Sequence, residues 1–119
     1  MRETVLLINF QDEKQLRDLK MILFTLKIRM KKVEKKEYLQ QIGCLAGLKD
    51  MEATTECYEG EELQKEMMVF AGIPNQKLDQ ILFMMRKNGV KRVDYKAILT
   101  ETNKTWTIPE LYEEISKEH

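Results

Sequence analysis

The chain has 119 residues, of which 43% are hydrophobic and 34% are charged. These proportions are typical of a globular protein, exclude a disordered chain and predict a single domain over residues 1–119. Twenty basic and twenty acidic residues cancel, which argues against a general polyanion binder.

The first half of the chain predicts a strand, a helix, a strand and a helix. Residues 5–10 (VLLINF) form a nearly continuous apolar run, typical of a central strand that is buried on both faces. Behind Asp12, a suitable N-cap, apolar residues recur at helical spacing: Leu16, Leu19, Ile22, Leu23 and Leu26. Residues 28–36 (IRMKKVEKK) predict an edge strand, because lysines discourage pairing between edges. Residues 38–48 predict a short second helix.

The second half repeats this order after a connector rich in glutamate over residues 50–65. Such a charge run predicts a solvated connector between two half-repeats, residues 1–49 and 66–119. Residues 67–72 (MMVFAG) predict the second apolar strand, and the next helix ends at Gly89. Residues 90–99 predict the fourth strand, with Val93, Tyr95 and Ala97 on one face. Thr105 or Thr107 then caps a final helix with Pro109 in its first turn.

The shared order of elements predicts the fold. A shift of 62 residues places Leu6 on Met68 and Leu19 on Ile81, as an internal repeat would. Two such halves predict an α+β protein, a ferredoxin-like sandwich of split βαβ units with the first and third strands central and the second and fourth at the edges. A parallel, doubly wound α/β sheet is the alternative, because strands and helices alternate throughout the chain.

Seven residues near the C-terminus form a recognisable pattern: Lys96, Ala97, Leu99, Thr100, Asn103, Trp106 and Leu111. The pattern K-A-x-L-T-x-x-N-x-x-W over residues 96–106 resembles the closing signature of a small bacterial and archaeal family, domain of unknown function thirty-seven eighty-three. The resemblance covers about residues 66–118 and implies an apolar strand, a helix ending in glycine, a further strand and a final helix. It implies no activity, because the family has no assigned function. The first half has no counterpart of the Thr, Asn and Trp of this pattern.

Two interpretations of this segment stay open. In one, Thr100 and Asn103 bond backbone groups of a loop, and Trp106 anchors the last helix to the sheet. In the other, a polar pocket at a strand end binds a ligand through Lys96, Thr100, Asn103 and Trp106.

Basic residues cluster around both predicted edge strands. The candidate contacts to an anion or to RNA are Lys31, Lys32, Lys35, Lys36, Lys91 and Arg92, since phosphate contacts dominate nucleic-acid affinity. No RNP1-like motif accompanies them, so nucleic acid is not the expected partner.

Catalytic and metal motifs are poorly represented. The only histidine is His119, and the two cysteines, Cys44 and Cys57, form no CxxC pair. Histidine triads and paired-histidine metal motifs are therefore excluded, and two isolated thiols predict neither a zinc site nor a disulfide framework. We expect no metal and no cofactor. With no apolar run near the ~18 residues of a membrane span and no signal-peptide core, we expect a cytoplasmic protein that has no membrane partner.

The leading hypothesis is a small non-catalytic binding or regulatory module for a protein partner or a small ligand. An anion- or RNA-binding domain that uses the basic edge strands is one alternative. A small enzyme that uses Lys96 with a carboxylate is another, and a perturbed lysine pKa is its minimum requirement. The analogy with ferredoxin-like domains, which often associate through edge strands or sheet faces, also allows a homodimer.

Overall fold

The computed structural model describes all 119 residues and contains one four-stranded sheet. Its strands are β1 (Thr4–Ile8), β2 (Arg29–Val33), β3 (Met67–Ala71) and β4 (Tyr95–Ile98). Its helices are α1 (Glu13–Thr25), α2 (Ile42–Leu45), α3 (Asn75–Lys87) and α4 (Ile108–Ser116), and a 3-10 turn at Lys35–Glu37 precedes α2. The predicted α+β class is confirmed. None of the four helices combines the length and the apolar character that crossing a bilayer requires.

The strand order is β2-β1-β3-β4, so the apolar strands are central and the basic strands lie at the edges. β1 and β3 pair antiparallel, with Leu6 opposite Val69. Each half of the chain contributes one parallel pair, β1 with β2 and β3 with β4. The antiparallel centre excludes the parallel doubly wound alternative. The two strands of each βαβ unit are direct neighbours, with no other strand between them.

Helices cover both faces of the sheet. The α1–α3 layer packs on one face, against Val5, Leu7, Met68 and Phe70. The α2–α4 layer packs on the other face, against Leu6, Ile8, Met67 and Val69. Because successive side chains of a strand point to opposite faces, every residue of β1 and β3 is buried. This double burial explains why both strands are continuous apolar runs in the sequence.

The predicted shift of 62 residues fits the helices but not the first strands. Leu19 of α1 and Ile81 of α3 are both buried in the core between their helices and the sheet. Leu6 and Met68, in contrast, face opposite sides of the sheet. The turn after each strand is the cause, since residues 9–12 separate β1 from α1 but only residues 72–74 separate β3 from α3. Val69 is therefore the structural counterpart of Leu6.

The predicted second strand, second helix and fourth strand are all shorter in the structure, with β2 restricted to Arg29–Val33, and one predicted face is wrong. β4 begins at Tyr95 because Val90 and Val93 turn into the α1–α3 core before the strand starts. Val93 and Tyr95 consequently lie on opposite faces of the sheet. The helix predicted over residues 38–48 is reduced to the four residues of α2, and Gly47, with φ +92°, adopts a backbone conformation that ends helices.

The predicted helix caps are confirmed. The side chain of Asp12 accepts a hydrogen bond from the Gln15 N–H at the start of α1. Thr107 caps α4 through a reciprocal pair of bonds with Glu110, the arrangement known as a capping box. Gly89, with φ +64°, follows α3 as the predicted left-handed residue.

Candidate functional site

Asn103 closes the turn that follows β4. Its Oδ1 accepts a hydrogen bond from the Thr100 N–H at 2.9 Å, and its Nδ2 donates to the Ile98 carbonyl at 3.0 Å. Thr100 Oγ1 in turn accepts from the Asn103 N–H at 3.1 Å. Asn103 is buried, with only 8% of its surface exposed, and both the oxygen and the nitrogen of its side-chain amide are hydrogen-bonded within the protein. These bonds support the interpretation in which Thr100 and Asn103 hold the loop.

Trp106 lies on the same side as the α2–α4 layer. Its half-buried ring packs against the core of that layer, together with Leu99 and Tyr112. Its backbone carbonyl accepts a hydrogen bond from the Ile42 N–H at 2.8 Å. Trp106 thus joins the turn after β4 to the start of α2.

Lys96 lies on the opposite face of the sheet from Trp106. Ala97 contacts the α2–α4 core, whereas Lys96 and Ile98 line a groove beside α3. The alternation of side chains along β4 imposes this separation. The structure therefore does not bring Lys96 and Trp106 into one pocket.

The open groove between α3 and β4, here named the α3–β4 groove, is the largely apolar depression that contains Lys96. One end has a volume of about 300 Å³ and is lined by Phe70, Leu78, Leu82, Lys96, Ala97 and Ile98. The other end has a volume of about 380 Å³ and is lined by Leu82, Met85, Arg86, Val90, Arg92, Val93 and Lys96. Since Leu82 and Lys96 belong to both ends, the two depressions are continuous. Ile98 is 51% exposed, so a large apolar side chain is open to solvent there.

Every charged side chain of the groove is a cation. Lys96 Nζ donates to the Val93 carbonyl at 2.8 Å, and neither Lys96 nor Arg86 forms an ion pair with a carboxylate. Although Lys96 is exposed as a whole residue, burial of its ammonium group lowers its pKa, and Arg92 lowers that pKa further, while Asp94 acts in the opposite direction. Arg92, the third cation, is paired with Asp94 at 2.8 Å. The groove thus combines apolar walls with the uncompensated charges of Lys96 and Arg86, which suits a ligand with an apolar body and an anionic group.

The cations of the anion or RNA hypothesis lie at two opposite edges of the sheet. One set is in or just after β2 and the other just before β4: Lys31, Lys32, Lys35 and Lys36, and then Lys91 and Arg92. Two strands lie between the edges, which is roughly 14 Å at the usual spacing of about 4.8 Å. Several of these cations also have acidic partners, since Lys31 pairs with Glu37 at 3.3 Å and Lys36 with Glu34 at 3.4 Å.

A separate polar cleft of about 390 Å³ lies where β1 ends and β3 begins. Amide and charged side chains line it: Asn9, Gln11, Asp12, Gln64, Lys65, Glu66, Lys91, Arg92 and Asp94. Asp94 lies 2.8 Å from Arg92 and 3.8 Å from Lys65, and Glu66 lies 4.0 Å from Lys91. Charge in this cleft is therefore compensated internally, and the cleft shares Arg92 with the α3–β4 groove, whose other cations, Lys96 and Arg86, have no acidic partner.

The sequence pattern identified Lys96 but missed the apolar residues around it. Leu78 and Leu82 fall on the same helical stripe as Ile81 and Met85, so helical spacing assigns all four to the core. The one available signal was Ile98, an apolar residue on the same face of a predicted edge strand as Lys96.

Comparison with known families finds one match. Residues 66–119 match a family model described as Domain of unknown function (DUF3783), which confirms the resemblance expected from the sequence. The matched span is just under half of the chain and runs from β3 to α4, so it contains every residue of the α3–β4 groove. No curated protein and no solved structure matches the chain.

Proposed function

We propose that this chain, whose residues 66–119 match the DUF3783 family, is a small non-catalytic binding module with the α3–β4 groove as its site. The observation that carries the proposal is the groove itself, which is largely apolar, open and lined by no carboxylate and by three cations, of which Lys96 and Arg86 have no acidic partner while Arg92 is paired with Asp94. Its ligand has an apolar body and an anionic group, and belongs to a protein partner or is a small molecule.

The two features of the groove have different roles in binding. The walls at Leu78, Leu82 and Ile98 supply free energy, at about 25 cal/mol for each Å² of apolar surface removed from water. The partly desolvated ammonium of Lys96 supplies selectivity, because it meets no carboxylate within the protein and a ligand anion compensates it. A neutral or cationic ligand of the same shape leaves this charge uncompensated.

The two alternative functions have less support from the geometry. Anion or RNA binding requires adjoining cations, and the six candidates are divided between two edges and partly paired with acidic residues. An enzyme that uses Lys96 with a carboxylate has the required lowering of the lysine pKa. However, Lys96 bonds to the Val93 carbonyl, and the nearby carboxylate of Asp94 is paired with Arg92 rather than with Lys96.

Titration with sodium octanoate, the simplest apolar anion, tests the proposal. In ¹H–¹⁵N correlation spectra, the amides of Leu78, Leu82 and Ile98 are expected to shift saturably. Octylammonium has the same tail with the opposite charge, and it is expected to leave these amides unchanged. Equal shifts with both probes, or shifts confined to residues outside the groove, contradict the proposal.

Replacing Lys96 with methionine separates binding from folding. We expect octanoate affinity to fall about tenfold, the equivalent of roughly 1.4 kcal/mol, without a loss of folding stability. The reason is that folding lowers the pKa of Lys96, so the charged lysine opposes folding. This loss of folding free energy is present at neutral pH. It is relieved as pH rises from the lowered pKa of the folded protein towards the pKa of the unfolded chain. Urea denaturation and the octanoate titration measure the two effects.

Lys32→Met is the matched control for that variant, because Lys32 is an exposed lysine of the opposite edge strand. It is expected to change neither octanoate affinity nor the shifts in the groove. If both variants bind octanoate as the unchanged protein does, Lys96 has no part in the site.

A further inference from the structure

The form of the groove indicates the class of its occupant, an inference that rests on the proposed function. We infer that the groove receives an acidic amphipathic helix of a partner protein. From Leu78 to Arg86 the groove follows nine residues of α3, which span about 12 Å at the helical rise of 1.5 Å per residue. It is open on its outer side because β4 is the last strand. Small-molecule sites bury about 70–90% of their ligand, whereas an open trough fits an elongated segment.

A strand added to β4 is a poorer fit than a helix. Leu99 donates its N–H to the Phe70 carbonyl of β3 at 2.9 Å, and bonding alternates residue by residue along a strand of a parallel pair. The backbone groups of Ile98 therefore point to the outer edge, where Asn103 Nδ2 already donates to the Ile98 carbonyl. With β4 only four residues long, too few free groups remain for a strand. Side chains in the groove must hold the partner, which is the mode of a helix in a groove.

The charges on the two walls select an acidic helix. Arg86 stands on the α3 wall and Lys96 on the β4 wall, with Leu82 between the two ends of the groove. Neither cation has an acidic partner in the chain. A helix with apolar residues at positions i, i+4 and i+7 and glutamates beside them places its apolar stripe on Leu82 and carboxylates near both cations.

A second copy of this chain does not supply such a helix. The glutamate-rich α4 has its apolar residues Ile108, Leu111 and Ile115 buried in its own core. The exposed apolar residues of α1, Met21 and Phe24, each follow a basic residue, Arg17 or Lys20, by one helical turn, and the cations of the groove repel these basic residues. The occupant is therefore a segment of another protein.

Designed peptides test the inference by charge reversal. The acidic peptide is a helix with leucines at i, i+4, i+7 and i+11 and flanking glutamates, and its twin has lysines in place of the glutamates. We expect the protein to bind the acidic peptide at least about tenfold more tightly, with the shifts confined to the groove. The double variant Arg86→Glu/Lys96→Glu is expected to reverse this preference. Lys20→Glu/Lys32→Glu, which changes two exposed lysines outside the groove, is expected to retain it.

The outcomes distinguish this inference from the proposed function. If octanoate shifts the groove but the protein does not prefer the acidic peptide, the helix inference is wrong and the binding module stands. Equal binding of an acidic peptide with leucines at every second residue overturns the helical occupant. Binding to phosphatidylglycerol vesicles that is lost in Arg86→Glu/Lys96→Glu, without peptide binding, overturns the protein partner. If neither octanoate nor a peptide shifts the groove, both proposals fall.

Discussion

Replacing Asn103 with alanine is expected to lower the free energy of unfolding by about 2–3 kcal/mol. The substitution removes the acceptor for the Thr100 N–H and the donor to the Ile98 carbonyl. Asn103 is buried, so the two bonds of its amide are largely shielded from water, and a typical hydrogen bond of this kind contributes about 1–1.5 kcal/mol. Urea denaturation followed by far-UV circular dichroism measures the change.

Two variants of the same turn serve as comparisons. Asn103→Asp retains an acceptor for the Thr100 N–H but loses the donor to Ile98, so we expect a smaller loss. Thr102→Ala changes an exposed neighbour and is expected to stay within about 0.5 kcal/mol of the unchanged protein. If Asn103→Ala is as harmless as Thr102→Ala, the amide does not hold the turn, and the ligand-binding interpretation of Asn103 gains support.

The central strands were predictable from the sequence because a strand buried on both faces has no polar position. β1 and β3 are such strands. The lysine-containing strands β2 and β4 were predicted at the edges of the sheet and lie there. The register was not predictable in the same way, because one residue more or less in a turn reverses which side chains face which layer. The shorter turn after β3 had this effect, and it moved the counterpart of Leu6 from Met68 to Val69.

The candidate site could be predicted only in part. The sequence gave Lys96, because this lysine opens the K-A-x-L-T-x-x-N-x-x-W pattern at the end of a predicted edge strand. It grouped Lys96 with Trp106, but β4 ends at Ile98 and the turn that follows breaks the alternation of strand side chains. The structure places the two residues on opposite sides of the sheet. Leu82 lines a groove only because β4 is the last strand. The position of β4 at the edge depends on the long-range pairing of β1 with β3, and the helical spacing of apolar residues in α3 gives no information about that pairing.

The acidic connector is less free than its composition predicts. It has no helix and no strand, yet Tyr58 and Leu63 pack against the α2–α4 core. The hydroxyl of Tyr38, a residue only 1% exposed, donates to Glu62 Oε1 at 2.7 Å. The rings of Tyr38 and Tyr58 also pack, with centroids 5.4 Å apart. Tyr38 therefore fixes the connector to the folded core.

Replacing Tyr38 with phenylalanine is expected to lower the free energy of unfolding by about 1.5 kcal/mol, the range for a hydrogen bond to a charged group. The ring and its packing are kept, so the loss reports the hydroxyl alone. We expect hydrogen exchange to accelerate most in residues 58–66, because the connector loses its contact through Glu62. Tyr58→Phe is the control, since its hydroxyl bonds only to Glu61 within the connector. Uniformly faster exchange throughout the chain is the result that contradicts a local role for Tyr38.

The same variant carries a pH signature. Burial, and then the hydrogen bond to Glu62 and its negative charge, raise the pKa of Tyr38 above its ordinary value of 10.0. The folded protein thus keeps the hydroxyl protonated at pH values where the unfolded chain ionises it. The stabilisation from Tyr38 is complete below the unfolded pKa and is lost as pH rises above it. Between about pH 9 and pH 11, the unchanged protein is therefore expected to lose more stability than Tyr38→Phe. Because the two proteins share all their lysines and their other tyrosines, the difference between their curves of unfolding free energy against pH isolates this one hydroxyl. Parallel curves would mean that the hydroxyl is in contact with water rather than with Glu62.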